Sequence, residues 1–193
     1  MRRDWRRAAL WVRPLARHLA DREQRALRRL EGLPGLPRSR GGGPGRRYRS
    51  WLPGRPLQEA APRDPAWYGS ALRLLAALHR RGVTHNDLAK EPNWLVLEDG
   101  SAALVDFQMA SVFRRRGWRF RLQAREDLRH LLKHKRSYWP ERLTPRDRRL
   151  LAAPSLPARL WRRTGKRLYL LVTRRWLGWA DREGAGDRGR PAA

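Results

Sequence analysis

An α+β fold, mainly helical around one short hairpin, is predicted for this chain by three observations. From Asp64 to Arg81 apolar residues recur at helical spacing, with Tyr68, Leu72, Leu75 and Leu78 on one face and Gly82 as terminator. Trp94 to Leu97 and Ala102 to Val105 are short apolar runs either side of Asp99-Gly100, a strong two-residue turn signal. Hydrophobic residues make up 40% of the 193 positions and include 10 Trp, enough to bury a core and to exclude a disordered chain. The length suits one domain in two lobes.

In chain order, Asp21 to Leu30 reads as the first helix, with Asp21 as cap and Gly32 just past its end. Gly41-Gly42-Gly43-Pro44-Gly45 lacks the spacing of a phosphate-cradling loop and reads as a flexible turn. Tyr48 to Leu52 reads as a strand that Pro53-Gly54 ends. After the hairpin, Phe113 to Phe120 is basic and aromatic. A helix is expected from Arg125 to Lys135 with Leu128, Leu131 and Leu132 inward. Thr144-Pro145-Arg146-Asp147 opens another helix: threonine caps and proline takes the first helical position. Pro154 and Pro157 then break the chain. Leu160 to Trp179 is helical in period, with Trp161, Leu168, Val172, Trp176 and Trp179 as a stripe flanked by cations. That stripe suits a helix lying on an anionic membrane or, the favoured expectation, one packed on the core. The Gly- and Arg-rich tail from Asp181 is expected to be disordered.

Lys+Arg number 45 against 18 Asp+Glu, a formal net charge of +27. Such a field attracts polyanions such as nucleic acid, anionic lipid or phosphorylated sugars. Arginine-rich compositional drift would explain much of the excess equally well. There is no cysteine, hence neither a disulfide framework nor a thiolate metal site, which fits a reducing cytoplasm. No apolar run reaches the roughly 18 residues of a spanning helix. Arg6 to Leu15 has no sustained apolar core, so no signal peptide is expected. His79 is expected to be structural, because no third ligand stands at a recognised spacing from His79 and His85.

The stretch His85-Asn86-Asp87-Leu88-Ala89-Lys90-Glu91-Pro92-Asn93 carries the chemistry, together with Val105-Asp106-Phe107 beyond the hairpin. A hairpin brings its ends together, so Asn93 and Asp106 are expected side by side, where two oxygen ligands for one cation would sit. The ordered set of an acid after histidine, an asparagine, a hairpin and an acid before phenylalanine resembles the active-site order of protein-kinase-like phosphotransferases. Within these, the chain from about Arg22 resembles small atypical bacterial kinases, RIO-like proteins and lipopolysaccharide-core sugar kinases, and the segment from Val83 to Val96 resembles a proteobacterial branch of RIO-like regulatory kinases.

The resemblance implies a partial small lobe and hinge over 1–54, a large catalytic lobe over 55–180 and a tail over 181–193. It implies ATP and Mg2+ as cofactors, with transfer to a hydroxyl of a protein Ser/Thr or an envelope sugar. Asp87 would accept the hydroxyl proton, Lys90 would lie near the reacting phosphate, and Asn93 and Asp106 would hold magnesium. Glu23 would pair with a strand lysine on the phosphates, unless it is a surface glutamate. The backbone at Trp51 and Leu52 would meet adenine, unless this is an ordinary strand end. His85 would steady the loop by packing on Phe107. A cytoplasmic monomer is implied, working in the cytosol or at the inner face of the membrane.

The chain departs from the family pattern in three ways. Asn93 stands six positions after Asp87 instead of five. Gln108 replaces the usual glycine, and no lysine precedes Lys90. The lysine strand is expected to lie upstream of this start, or an arginine such as Arg2 or Arg3 replaces it poorly, being planar where the ammonium is compact. A second reading follows, in which a catalytically weak kinase-like fold docks nucleic acid or membrane through its basic surface.

Overall fold

The computed structural model describes residues 2–4, 9–43 and 45–152, and shows a mixed α and β architecture. The expected helix at Leu160 to Trp179 and the tail from Asp181 lie outside the described residues. The chain divides into two units, Met1–Arg142 and Leu143–Ala193.

In the first unit, strand β1 (Arg2–Asp4) pairs antiparallel with β2 (Arg46–Tyr48). Between them runs helix α1 (Arg13–Arg29). It begins two turns earlier than the sequence suggested, because Pro14 presets the first turn. Asp21 is therefore a mid-helix residue and not a cap; its carboxylate pairs with Arg17 at 3.7 Å and with Arg47 at 2.8 Å. Ala20, Glu23, Ala26 and Leu27 form the inward stripe. The expected strand at Tyr48 to Leu52 is displaced toward the N-terminus. Arg40, Gly41 and Tyr48 exchange backbone hydrogen bonds and Arg49 bridges Ser39, but residues 51–54 are irregular.

Strand β3 (Arg55–Pro56) leads through the short helix α2 (Leu57–Ala60) to helix α3 (Pro65–Arg80). Asp64 caps α3 by accepting from the Ala66 N–H at 2.8 Å, and Pro65 follows it. Trp67, Tyr68, Ala71, Leu74, Leu75 and Leu78 are buried. Leu72, expected on this face, is 43% exposed, and Leu74 takes its place. The helix ends at Gly82 (φ +71°), where a Cβ would fall 2.6 Å from the Phe113 carbonyl oxygen. Strand β4 (Val83–Thr84) follows, antiparallel to β7 (Ser111–Val112).

The hairpin is β5 (Trp94–Val96) and β6 (Ala102–Leu104), with β3 on its outer edge. Its loop is longer than the two residues expected. Leu97 and Ser101 still pair, so Glu98, Asp99 and Gly100 form a three-residue loop with Gly100 at φ +76°. Trp67 of α3 stands edge-on to Trp94 at 5.9 Å and donates to the Leu95 carbonyl, which seats the hairpin on the helical core. Helix α4 (Trp118–Tyr138) is two turns longer at its start than Arg125 predicted. It buries Leu131 and Leu132, while Leu128 is half-buried. In the second unit, helix α5 (Pro145–Ala152) opens with a reciprocal cap: Asp147 N–H donates to Thr144 Oγ1, and Thr144 N–H donates to Asp147 Oδ2, both at 3.1 Å.

Candidate active site

The loop 85–93 leaves β4 with its backbone pinned from a distance. Asp127, wholly buried on α4, accepts from the His85 N–H at 2.8 Å and the Asn86 N–H at 2.9 Å. Its Oδ2 also accepts from His79 Nε2 at 3.2 Å, so His79 is held by a carboxylate in the core and is structural. His134 Nε2 adds a bond to the Leu88 carbonyl at 2.7 Å. His85 is fully buried, its ring 4.6 Å from that of Phe107. Its Nε2–H donates to the Val105 carbonyl at 3.0 Å, which leaves Nδ1 bare. Burial pushes its pKa down against the pull of Asp127, so the imidazole is neutral.

Asn86 and Asp106 both adopt left-handed backbone, at φ +67° and +66°. Neither is glycine, and strain of this kind persists only where surrounding bonds impose it. At Asn86 those bonds are visible: Nδ2 donates to the Met109 carbonyl and to Ser111 Oγ, each at 2.9 Å. At Asp106 the chain turns into the single 3-10 turn Phe107–Met109, with Phe107 wholly buried. Arg22 of α1 grips this turn, donating to the Met109 carbonyl at 2.9 Å and twice to the Ala110 carbonyl. Gln108 lies inside the turn and is not among the residues of positive φ, so nothing in the backbone demands glycine there.

Asp87, Lys90 and Asn93 are brought together. Lys90 Nζ is 3.0 Å from Asp87 Oδ2, and Asn93 Nδ2 donates to the same oxygen at 3.2 Å and to the Asp87 carbonyl at 2.7 Å. The 3-10 turn Glu91–Asn93 folds the chain back so that the amide meets Asp87 across six positions. Both partners of Nδ2 are pure acceptors, which fixes the amide orientation and directs Oδ1 away from Asp87. The Asn93 carbonyl accepts from the Val105 N–H at 3.0 Å, so Asp106 begins one residue beyond the pair at the open end of the hairpin. Among the described residues no three His, Asp or Glu side chains form a metal cage. The amide oxygen of Asn93 with the carboxylate of Asp106 is nevertheless a hard-oxygen set that fits magnesium, which takes one or two carboxylates and fills its octahedron with phosphate and water.

Glu23 is buried at 5% exposure and pairs with Arg49 Nη1 at 2.6 Å. An arginine that follows α1 is thus among its partners. Trp51 is 72% exposed and Leu52 half-buried in the irregular segment before β3. Clefts of about 180 Å3 beside Leu27, Leu30 and Leu36, and of about 680 Å3 beside Arg55, Trp67 and Leu97, are not lined by Asp87, Asn93 or Asp106. Sequence reasoning missed Asp127, Arg22 and Arg49. A signal existed for the first: Phe120, Asp127, Leu131 and His134 share one helical face, and a carboxylate among inward positions must have a buried partner. No protein-family model matches the chain. No curated protein matches it either.

Proposed function

We propose that this protein is an ATP-dependent phosphotransferase with a protein-kinase-like fold, acting on an alcohol. The observation that carries the reading is the set of Asp87, Lys90 and Asn93 within 3.2 Å on a loop whose backbone is fastened by buried Asp127. Asp87 orients the acceptor hydroxyl and takes its proton. Lys90 balances that carboxylate and is placed to meet phosphate charge. Asn93 and Asp106 would hold magnesium, which would neutralise the phosphate oxygens. The acceptor is a protein Ser/Thr or a sugar hydroxyl.

The test pairs two substitutions. Asp87→Asn removes the proton acceptor at almost constant volume, and transfer from ATP should fall by about a thousandfold or more, while the thermal shift caused by magnesium-ATP persists. Asp106→Ala should abolish that shift. Full turnover in Asp87→Asn would remove the carboxylate from the mechanism. A nucleotide shift that is indifferent to magnesium in wild type would remove the metal. A binding module without transfer is favoured by the pairing of Glu23 with Arg49 and by the charge of +27. Magnesium-ATP binding without any transfer would support that reading.

A further inference from the structure

Between Asp106 and Glu126 the chain carries six arginines and no acid. Its central part, residues 114–119, is exposed throughout. Three large apolar side chains also stand in solvent here: Trp118 at 71%, Met109 at 45% and Val112 at 43%. Arg119 lies over the Trp118 ring at 5.4 Å. Arg116 is tied back to the end of α3 by a bond to the Arg80 carbonyl at 3.2 Å, and Arg80 is itself exposed. The segment does not float free of the candidate site. Strand β7 is paired with β4, which runs into the 85–93 loop, and Asn86 bonds to Met109 and Ser111.

We propose that the surface formed by Arg114, Arg115, Arg116 and Trp118, with Met109 and Val112, docks on an anionic lipid bilayer. Charge complementarity selects the partner: clustered arginines without acids are attracted to an anionic leaflet, each adding a similar increment. The apolar members decide between lipid and nucleic acid. Trp118 would sit at headgroup depth, as tryptophan does at membrane interfaces, and Val112 and Met109 would enter the acyl boundary. Val112 and Met109 cannot hydrogen-bond a base edge or stack on a base as an aromatic does. Docking would bring the 85–93 loop to the bilayer surface. The inference does not depend on phosphotransfer, since binding is read directly.

The experiment uses the full chain and sedimentation with vesicles of equal parts phosphatidylcholine and phosphatidylglycerol. The net charge of +27 makes some binding certain, so a charge-matched control is essential. One variant replaces Arg114, Arg115 and Arg116 by alanine. The control replaces Arg38, Arg73 and Arg136, all exposed; Arg136 is about 27 Å along α4 from Trp118. The patch variant should lose roughly a hundredfold in affinity, and the control under about threefold. Trp118→Ser should remove the part of the binding that survives high salt, because apolar insertion is not screened. Equal losses in the two triple variants would overturn the proposal in favour of delocalised charge. Tighter, patch-dependent binding to a single-stranded oligonucleotide than to vesicles would overturn it in favour of nucleic acid. Should the triple patch variant unfold, Trp118→Ser decides alone: unchanged vesicle binding at high salt sinks the proposal.

Discussion

The 85–93 loop and helix α1 both carry carboxylates that the sequence singled out, Asp87 and Glu23, but they are fastened by different chemistry. The loop is held by bonds from buried side chains to its backbone, with Asp127 on two N–H groups and His134 on the Leu88 carbonyl. Helix α1 is held by arginines: Arg22 on two carbonyls, Arg47 on Asp21 and Arg49 on Glu23. A bond made inside the core is strong against salt and expensive to break, because a buried donor left alone keeps its full desolvation cost. A guanidinium at a partly exposed edge gives modest energy that salt screens. The loop is therefore expected to be rigid and α1 to be the adjustable side.

The largest effect should come from Asp127→Ala. It strands two backbone N–H groups and one imidazole, and should cost about 3–5 kcal/mol, while Asp127→Asn, whose amide oxygen still accepts, should cost less. Urea unfolding measures both. A loss below about 1 kcal/mol for the alanine variant would mean that the loop is not held from α4.

Arg49→Met leaves Glu23 buried without its arginine and should cost about 1–3 kcal/mol. Glu23→Gln with Arg49→Met together should recover part of that loss, since a buried pair removed as a unit is cheaper than a broken one. A double-mutant cycle in low and high salt sharpens the comparison. The coupling of Arg47 to Asp21, with side chains 25% and 29% exposed, should fall with salt, and that of Arg49 to Glu23, at 11% and 6%, should not. Equal salt sensitivity in the two pairs would erase the distinction.

Acid gives the smallest of the three effects. Burial, helped by the nearby charge of Lys133, lowers the His130 pKa to about 4, and burial lowers that of His85 as well. The unfolded chain then binds more protons than the native one below the ordinary histidine range, so the native state loses stability as pH falls from about 6.5 toward 4. His130→Gln should flatten part of that slope in unfolding midpoints measured across the window. A slope unchanged in this variant would assign the acid sensitivity elsewhere.

The hairpin, α3 with its Asp64-Pro65 start, and the Thr144 cap were legible because each is written within a few residues: a turn signal, a period, a capping pair. The Asp87, Asn93 and Asp106 positions could be read for the same reason, and the local 3-10 turn sets Asn93 against Asp87. The start of α1 was misread because an acid that could cap lies in mid-helix, where Arg47, brought in from β2, holds it. The sequence by itself determined which residues could do chemistry and in what order they come. Only the tertiary structure decided what holds them. Asp127 reaches Asn86 across 41 positions, Arg49 reaches Glu23 across 26 and Arg22 reaches Met109 across 87, and no periodicity or propensity encodes contacts between elements so far apart along the chain.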